Sequence, residues 1–333
     1  MNIIGQNRLV INSKDSTEGD MLARKELDIF QTYDELQGIH VPTDPQEFYE
    51  DFGLFEHPLT RKPVPKLTTY QYNGWKDGFN YRYRLVVKSQ KVGFTTSSLV
   101  EDFQKCVLPI SHPLSCMGKE ILIIAQTQDM AKQHLYTLRK LILNSDKYSK
   151  FLITKPTDLV LRDEVTKATM IFIKNPNNAN KPTRIIALGP TERSVWSWKE
   201  VKHIHMSDVA VNNAVDDTGL FGACFSRLAN TNGSMLIESP PRGQRGQVWE
   251  IYQSSKLKGD EEHESAKFKV REIEAERAVE NGIMTQEFLN QEKIRLGVLY
   301  AQYYECAFLN PYTSWYDQNK FMLSDAKASK VGR

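Results

Sequence analysis

From residue 85 onward the chain alternates short apolar runs with longer segments of helical periodicity, and that alternation restricts its fold more than any other feature. Leu85-Val86-Val87, Glu120–Ala125, Thr169–Ile173, Arg184–Leu188, His203–Met206 and Ser234–Glu238 read as buried strands. Between them, Thr95–Leu108 puts Leu99, Val100, Phe103 and Val107 on one helical face, and Thr127–Leu143 does the same with Met130, Leu135, Leu138, Leu141 and Ile142. Strands joined by helices of this length require crossover connections, hence a largely parallel sheet with helices on its faces. From residue 270 the pattern turns wholly helical, over Glu272–Asn281, Gln286–Leu296 and Val298–Ala307. Ahead of the alternation, Asp44-Pro45 followed by Glu47 suits a helix start, with a cap and a proline at the first helical position. The expected layout is an acidic N-terminal segment over 1–59, an α/β core over 60–260 and a helical segment over 261–333.

Charge supplies the first functional hint. The 333 residues carry 43 Lys and Arg against 41 Asp and Glu, a net charge of +2. That near balance hides two opposed segments. Residues 1–59 hold 4 basic and 12 acidic residues, whereas residues 60–91 hold 8 basic and 1 acidic, interleaved with Tyr70, Tyr72, Trp75, Phe79, Tyr81 and Tyr83. Basic residues among aromatics can serve phosphates or nucleic acid; they can equally form a solvated surface against an acidic neighbour. The longest aliphatic run, Ile121 to Ala125, is far below the ~20 residues of a membrane helix, and the first eight residues lack the apolar core of a signal peptide. Cys106, Cys116, Cys224 and Cys306 stand far apart without a C-x-x-C pair, so neither a zinc site nor a disulfide frame is expected, and a reducing cytosol fits.

No segment matches the usual phosphate loop G-x-x-x-x-G-K-[ST]. Gly118-Lys119 precedes a strand instead of following one. Lys88-Ser89-Gln90-Lys91-Val92-Gly93-Phe94-Thr95 has the right context: it follows the strand Leu85–Val87 and opens the helix from Thr95. There, backbone N–H groups at a helix N-terminus can cradle phosphates. Phe94 fills the usual lysine slot, and Lys88 can reach the phosphates from the start of the loop. Thr95, followed by Thr96, can offer a hydroxyl to Mg²⁺. The same spacing also suits a plain strand–turn–helix joint.

The segment Lys88-Ser89-x-x-Val92-Gly93-Phe94-Thr95 resembles the deviant nucleotide loop of large terminase subunits, the ATPase motors that package DNA into the proheads of tailed viruses. Other segments follow in the family's order. Leu67-Thr68-Thr69-Tyr70-Gln71 looks like its adenine-recognition motif, with Gln71 reading the base. His203-Ile204-His205-Met206-Ser207-Asp208 resembles its second acidic motif, with Asp208 as the Mg²⁺ ligand. Leu236-Ile237-Glu238-Ser239-Pro240-Pro241-Arg242-Gly243 resembles its coupling motif, centred on Ser239-Pro240. Gly282-Ile283-Met284-Thr285 and Tyr303–Phe308 resemble the helical segment that closes its ATPase region. The resemblance covers about residues 66–310. It implies an α/β P-loop NTPase of the RecA/ASCE-like type, ATP and Mg²⁺ as nucleotide and metal, duplex DNA, a portal protein and a small terminase subunit as partners, a homo-oligomeric ring, and work in the host cytoplasm without membrane attachment.

Two departures shape the expectations. The family usually follows its metal-binding Asp with a Glu that activates water, and here Val209 follows Asp208. Glu238, at the end of a neighbouring strand, is the expected substitute, because strand carboxyl ends meet at the nucleotide in a parallel sheet; Asp216 and Asp217 are weaker candidates. Gln90 stands where many members carry a loop arginine, leaving Arg139, Arg242 and Arg245 as candidate arginine fingers. The catalytic set expected is Lys88, Asp208 and Glu238; Gln71, Lys88, Ser89, Gly93, Phe94, Thr95 and Thr96 would bind nucleotide. A nuclease domain is not expected, since 23 residues follow Asn310, and a helicase would need a second motor domain. The alternative to a motor is a nucleotide-binding scaffold with little hydrolysis, which Val209 suits. His203 and His205 alternate in a strand and read as packed or paired, Trp196 and Trp198 as part of a half-buried strand, and Gly259–Glu264 as a solvated acidic loop.

Overall fold

The computed structural model describes residues 35–53, 55–56, 63–64, 66–153, 161–162, 169–211, 217–256 and 268–310. Two compact units are present, Met1–His40 and Val41–Arg333. Of the first, residues 35–37 are helical; everything below concerns the second.

Helix α1 (Pro45–Phe52) starts as expected, with Asp44 accepting from the backbone N–H groups of Gln46 and Glu47. A two-residue ribbon pairs β1 (Phe55–Glu56) with β2 (Pro63–Val64). The core then runs α2 (Thr69–Asn80), β3 (Tyr83–Lys88), α3 (Phe94–Val107), β4 (Glu120–Ala125), α4 (Gln128–Leu143), β5 (Leu161–Arg162), β6 (Thr169–Ile173), β7 (Thr183–Leu188), α5 (Glu192–Trp196), β8 (Val201–Ser207), α6 (Asp217–Thr231), β9 (Ser234–Ser239), α7 (Gly246–Lys256), β10 (Phe268–Ile273), α8 (Ala275–Glu280), α9 (Gln286–Leu296) and α10 (Leu299–Tyr304).

The sheet has the order β10-β3-β9-β8-β4-β7-β6-β5. Neighbours from β10 to β7 run parallel, while β6 and β5 append antiparallel. Strand β4 is buried at every position, as expected for a parallel strand covered on both faces. One face packs Leu85, Val87, Leu122, Ile124, Ile204 and Ile237 among α6 and α7 residues such as Phe221 and Ile251. On the other face, Val86, Val92, Phe94, Leu236 and Ile273 join Ala278, Leu289 and Tyr304 from the C-terminal helices.

Two expectations need correction. Residues 268–273 form a strand, and the helix expected from Glu272 begins at Ala275. Strand β10 lies at the sheet edge, where only Phe268 and Ile273 are buried, so its charged residues blur the period-two signal. The sheet thus takes a strand from beyond residue 260. Trp196 closes the one-turn helix α5 instead of lying in a strand: Thr191 caps the Ser194 N–H, and this local hydrogen bond outweighs the Trp-Ser-Trp alternation. The acidic run Gly259–Glu264 lies outside the described residues.

The basic stretch does not form one surface. Arg84 is buried and paired with Glu101, Lys88 is buried, and Arg82 donates to the carbonyls of Gly233 and Leu228. Among the described residues, no helix is long and apolar enough to cross a membrane.

Candidate active site

Strand β3 delivers the loop at residues 88–93. Lys91 and Gly93 sit in the left-handed region, with φ of 60° and 72°, so the chain turns sharply into α3. Glycine is the residue that adopts such a φ without a Cβ clash. As N-cap of α3, Gly93 offers no side chain to the first-turn N–H groups, which have no intrahelical partner either. They are donors suited to an anion. The loop is braced from the C-terminal side: Ser89 N–H donates to Ile273 O at 2.8 Å, Gln90 N–H to Tyr303 O at 3.1 Å, and the Lys91 ammonium lies over the Phe288 ring.

The nucleotide residues expected from sequence divide by role. Gly93 and Thr96 are exposed and Thr95 half-buried at the loop. Ser89 is buried, its hydroxyl donating to Gln90 O. The Phe94 ring points into the core, and a Cβ added at Gly74 would lie 2.6 Å from it; only the Phe94 backbone faces the loop mouth. Gln71 closes a capping box with Thr68 and its amide donates to Gly93 O at 3.0 Å, which clamps α2 to the loop.

Strand order assembles the charged groups. Strand β9 lies between β3, which ends in Lys88, and β8, which Asp208 follows. Glu238 pairs in register with Val86 on one side and Ser207 on the other, so three neighbouring strand ends present Lys88, Glu238 and Asp208. The Lys88 ammonium donates to Asp208 Oδ1 at 3.2 Å. Burial alone would push Lys88 towards its neutral form, but the carboxylates of Glu238 and Asp208 outweigh that and raise its pKa. Burial likewise opposes ionisation of Glu238, and Lys88, His205 and the Thr95 hydroxyl overcome it, holding the carboxyl at about 2. Glu238 Oε2 is buried and has no donor in hydrogen-bond geometry, although the Thr95 hydroxyl is near enough to act on the carboxylate. Asp208 carries φ of 55°, and its N–H donates to Glu238 O at 2.7 Å. A non-glycine residue held there is a local strain of the kind found at functional sites.

Ser239 ties the end of β9 to the turn after Asp208, its hydroxyl accepting from Ala210 N–H at 3.2 Å; Pro240 beside it is buried. Val209 is buried in the core. Arg242, half-buried, and Arg245, exposed, lie in the β9–α7 loop at the same edge of the sheet. Arg139 is not brought to that edge, because α4 descends from it and Arg139 lies about 16 Å along the helix at 1.5 Å per residue. Asp217 accepts from Gln247 N–H at the start of α7, and Asp216 lies outside the described residues. Lys119 pairs with Glu200 at the amino end of β4, away from the loop. Sequence reasoning missed Asp102, whose carboxylate meets His205, and His134 on α4. Burial lowers the His134 pKa, with opposing pulls from Glu238 and Asp208.

The donors fit a nucleoside phosphate: uncapped helix N–H groups and an ammonium at the loop. One hydroxyl (Thr95) and one carboxylate (Asp208) fit Mg²⁺, which usually takes one or two carboxylates and completes its shell with phosphate and water. Among the described residues there is no cluster of three or more His, Cys, Asp or Glu able to hold a metal by themselves.

No protein-family model matches the chain, and no curated protein matches it in sequence. Its fold is that of large terminase ATPase domains. The ATPase domain of the Thermus phage P74-26 large terminase superposes with a TM-score of 0.56 at 13% identity, over 81% of this chain and 100% of that one. The HK97 bacteriophage large terminase gives 0.56 at 11% identity, over 80% of this chain and 54% of that one. The large terminase of another thermophilic bacteriophage, solved in complex with ADP, gives 0.52 at 12% identity, over 73% of this chain and 54% of that one. The chain therefore spans all of one isolated ATPase domain and about half the length of the two larger terminase chains.

Proposed function

We propose that this chain is a Mg²⁺-dependent ATPase of the terminase type, the motor that drives duplex DNA into a viral prohead. The observation that carries the reading is the strand order, which inserts the Glu238 strand between the strand ending at Lys88 and the strand that Asp208 follows. The terminase fold and the ADP bound by a structural neighbour agree with it.

In this reading the first-turn N–H groups of α3 and the Lys88 ammonium bind the phosphates, Gln71 meets the base with the amide hydrogen that Gly93 O does not take, and Thr95 and Asp208 hold the metal. Mg²⁺, when bound, neutralises charge on the phosphate oxygens. Glu238 supplies the water-orienting carboxylate that Val209 cannot, through its unpartnered Oε2. An ionised carboxylate oxygen accepts a hydrogen bond from one O–H of a water, and so can aim a lone pair of that water at phosphorus. Arg242 or Arg245, from this subunit or a neighbouring one in a homo-oligomeric ring, steadies the transferring phosphate. Ser239-Pro240 passes the change at Glu238 to the turn after Asp208. A portal protein and a small terminase subunit are the partners, and the host cytoplasm is the place of work.

The second reading, a nucleotide-binding scaffold with little hydrolysis, is favoured by Val209. Steady-state ATP hydrolysis with and without duplex DNA separates the two. Turnover stimulated by DNA supports the motor; ATP binding without turnover, alone or with DNA and partners, supports the scaffold.

A further inference from the structure

Beneath the candidate site runs a chain of charged side chains in a layer that should be apolar. His203 and His205 share one face of β8, towards α3, and meet Glu101, Asp102 and Lys105 from that helix; all five are buried. His205 Nδ1 lies 2.6 Å from Asp102 Oδ2, and its Nε2 lies 3.2 Å from Glu238 Oε1. We propose that His205, anchored from behind by Asp102, is the positioning residue that fixes the Glu238 carboxylate. This rests on the reading of Glu238 as the water-orienting group.

Hydrogen-bond accounting assigns the protons. The Lys105 ammonium, 3.0 Å from His203 Nε2, only donates, so Nε2 accepts and Nδ1 carries the proton, facing the Ser234 carbonyl at 3.1 Å and the Ser234 hydroxyl at 2.8 Å. His203 Nε2 then has no proton to give Asp102 Oδ1, 3.2 Å away, and that oxygen lacks a hydrogen-bond partner. Asp102 therefore needs a donor at Oδ2, and Glu238 needs one at Oε1. His205 faces both, and a ring with two acceptors is an imidazolium. The charges close on the same assignment: Arg84, Lys88, Lys105 and His205 balance Glu101, Asp102, Asp208 and Glu238. Burial opposes the charge on His205, but Asp102 and Glu238 outweigh it and lift its pKa to about 10.

With Oε1 held from below, Oε2 is the oxygen left for water. A carboxylate that follows its metal-binding neighbour in sequence is aimed by that strand's own backbone. Glu238 comes from a different strand, and the His205 contact supplies the aim.

The test combines three measurements on the full chain. Changing a supporting partner behind a functional ligand typically costs about 10–100-fold, so His205→Gln should lower kcat by about that factor while the KM for ATP stays within about threefold. The double variant with Glu238→Gln should be no slower than Glu238→Gln alone, because His205 acts through Glu238. Asp102→Asn, which keeps the ring and a hydrogen bond to it, carries the same test should His205→Gln fail to fold. In the wild type, ¹⁵N spectra of labelled histidines at pH 8 should show one ring, lost in the His205 variant, with both nitrogens protonated. A folded His205→Gln with wild-type kcat beside a slow Glu238→Gln overturns the positioning role and leaves the proposed function standing, as does a neutral His205 ring. A fast Glu238→Gln, or a wild type that never turns over ATP, overturns the reading of Glu238 itself and the positioning role with it.

Discussion

Replacing Lys88 by alanine should separate the proposed phosphate loop from its decoy. The Lys88 side chain is 8% exposed and its ammonium is 3.2 Å from Asp208 Oδ1, with the Asp208 side chain 25% exposed. A charge-assisted hydrogen bond to phosphate is worth about 1.5–3 kcal/mol, so at 1.4 kcal/mol per decade Lys88→Ala should weaken ATP roughly 10- to 150-fold. Stability should fall too. Breaking a buried pair costs about 3–5 kcal/mol when the remaining charge is fully buried, and the partial exposure of Asp208 puts this case at or below the lower end. Lys119→Ala is the control: Lys119 and Glu200 are 38% and 41% exposed, and such a pair is worth about 0–1 kcal/mol. Titration with a fluorescent ATP analogue, alongside thermal unfolding of each variant, reads both effects. Tight ATP binding by a folded Lys88→Ala with binding lost in Lys119→Ala would refute the assignment of the loop.

Further outcomes follow from individual contacts. Gly74→Ala would set a methyl 2.6 Å from the Phe94 ring, and overpacking of this kind costs about 1–3 kcal/mol; thermal unfolding should show the loss, and ATP should bind more weakly as the start of α3 shifts. His205, at about 10 against an ordinary 6.5, contributes stability that is complete below about pH 6.5 and declines as pH rises towards 10. The charged and titratable groups acting on it are Asp102 and Glu238, with His134 coupled to it from α4. Melting temperatures between pH 6 and 10 should therefore fall more steeply for wild type than for His205→Gln. Duplex DNA should bind without sequence preference and with an affinity that drops steeply as salt rises, through counterion release; fluorescence anisotropy at several salt concentrations checks both.

Much of this arrangement is legible in the sequence because it depends on local signals. Strands such as Glu120–Ala125 are apolar on both faces and leave no other place for themselves than the middle of a parallel sheet. Lys88, Gly93 and Asp208 are found by their place at strand ends, and Glu238 by the order of strands. Strand β10 escaped because its inner residues, Lys269 to Glu272, are only partly buried or exposed and run into the helical pattern of α8. The polar layer escaped for a different reason. Asp102 and His205 are 103 residues apart, and nothing local joins them. The available signal was misplaced polarity: two histidines inside a buried strand, and Glu101, Asp102 and Lys105 within a helix whose neighbouring residues are core.

Glu238, from the strand inserted between Lys88 and Asp208, is proposed to do the work that a residue at 209 would ordinarily do, and the whole mechanism turns on it. Steady-state ATP hydrolysis by wild type and Glu238→Gln, each with its ATP affinity measured separately, tests this most directly. Positioning by a general base is typically worth about 10²–10⁴-fold in rate. Turnover should therefore drop at least a hundredfold with ATP affinity unchanged within a fewfold; wild-type turnover in Glu238→Gln would contradict the assignment.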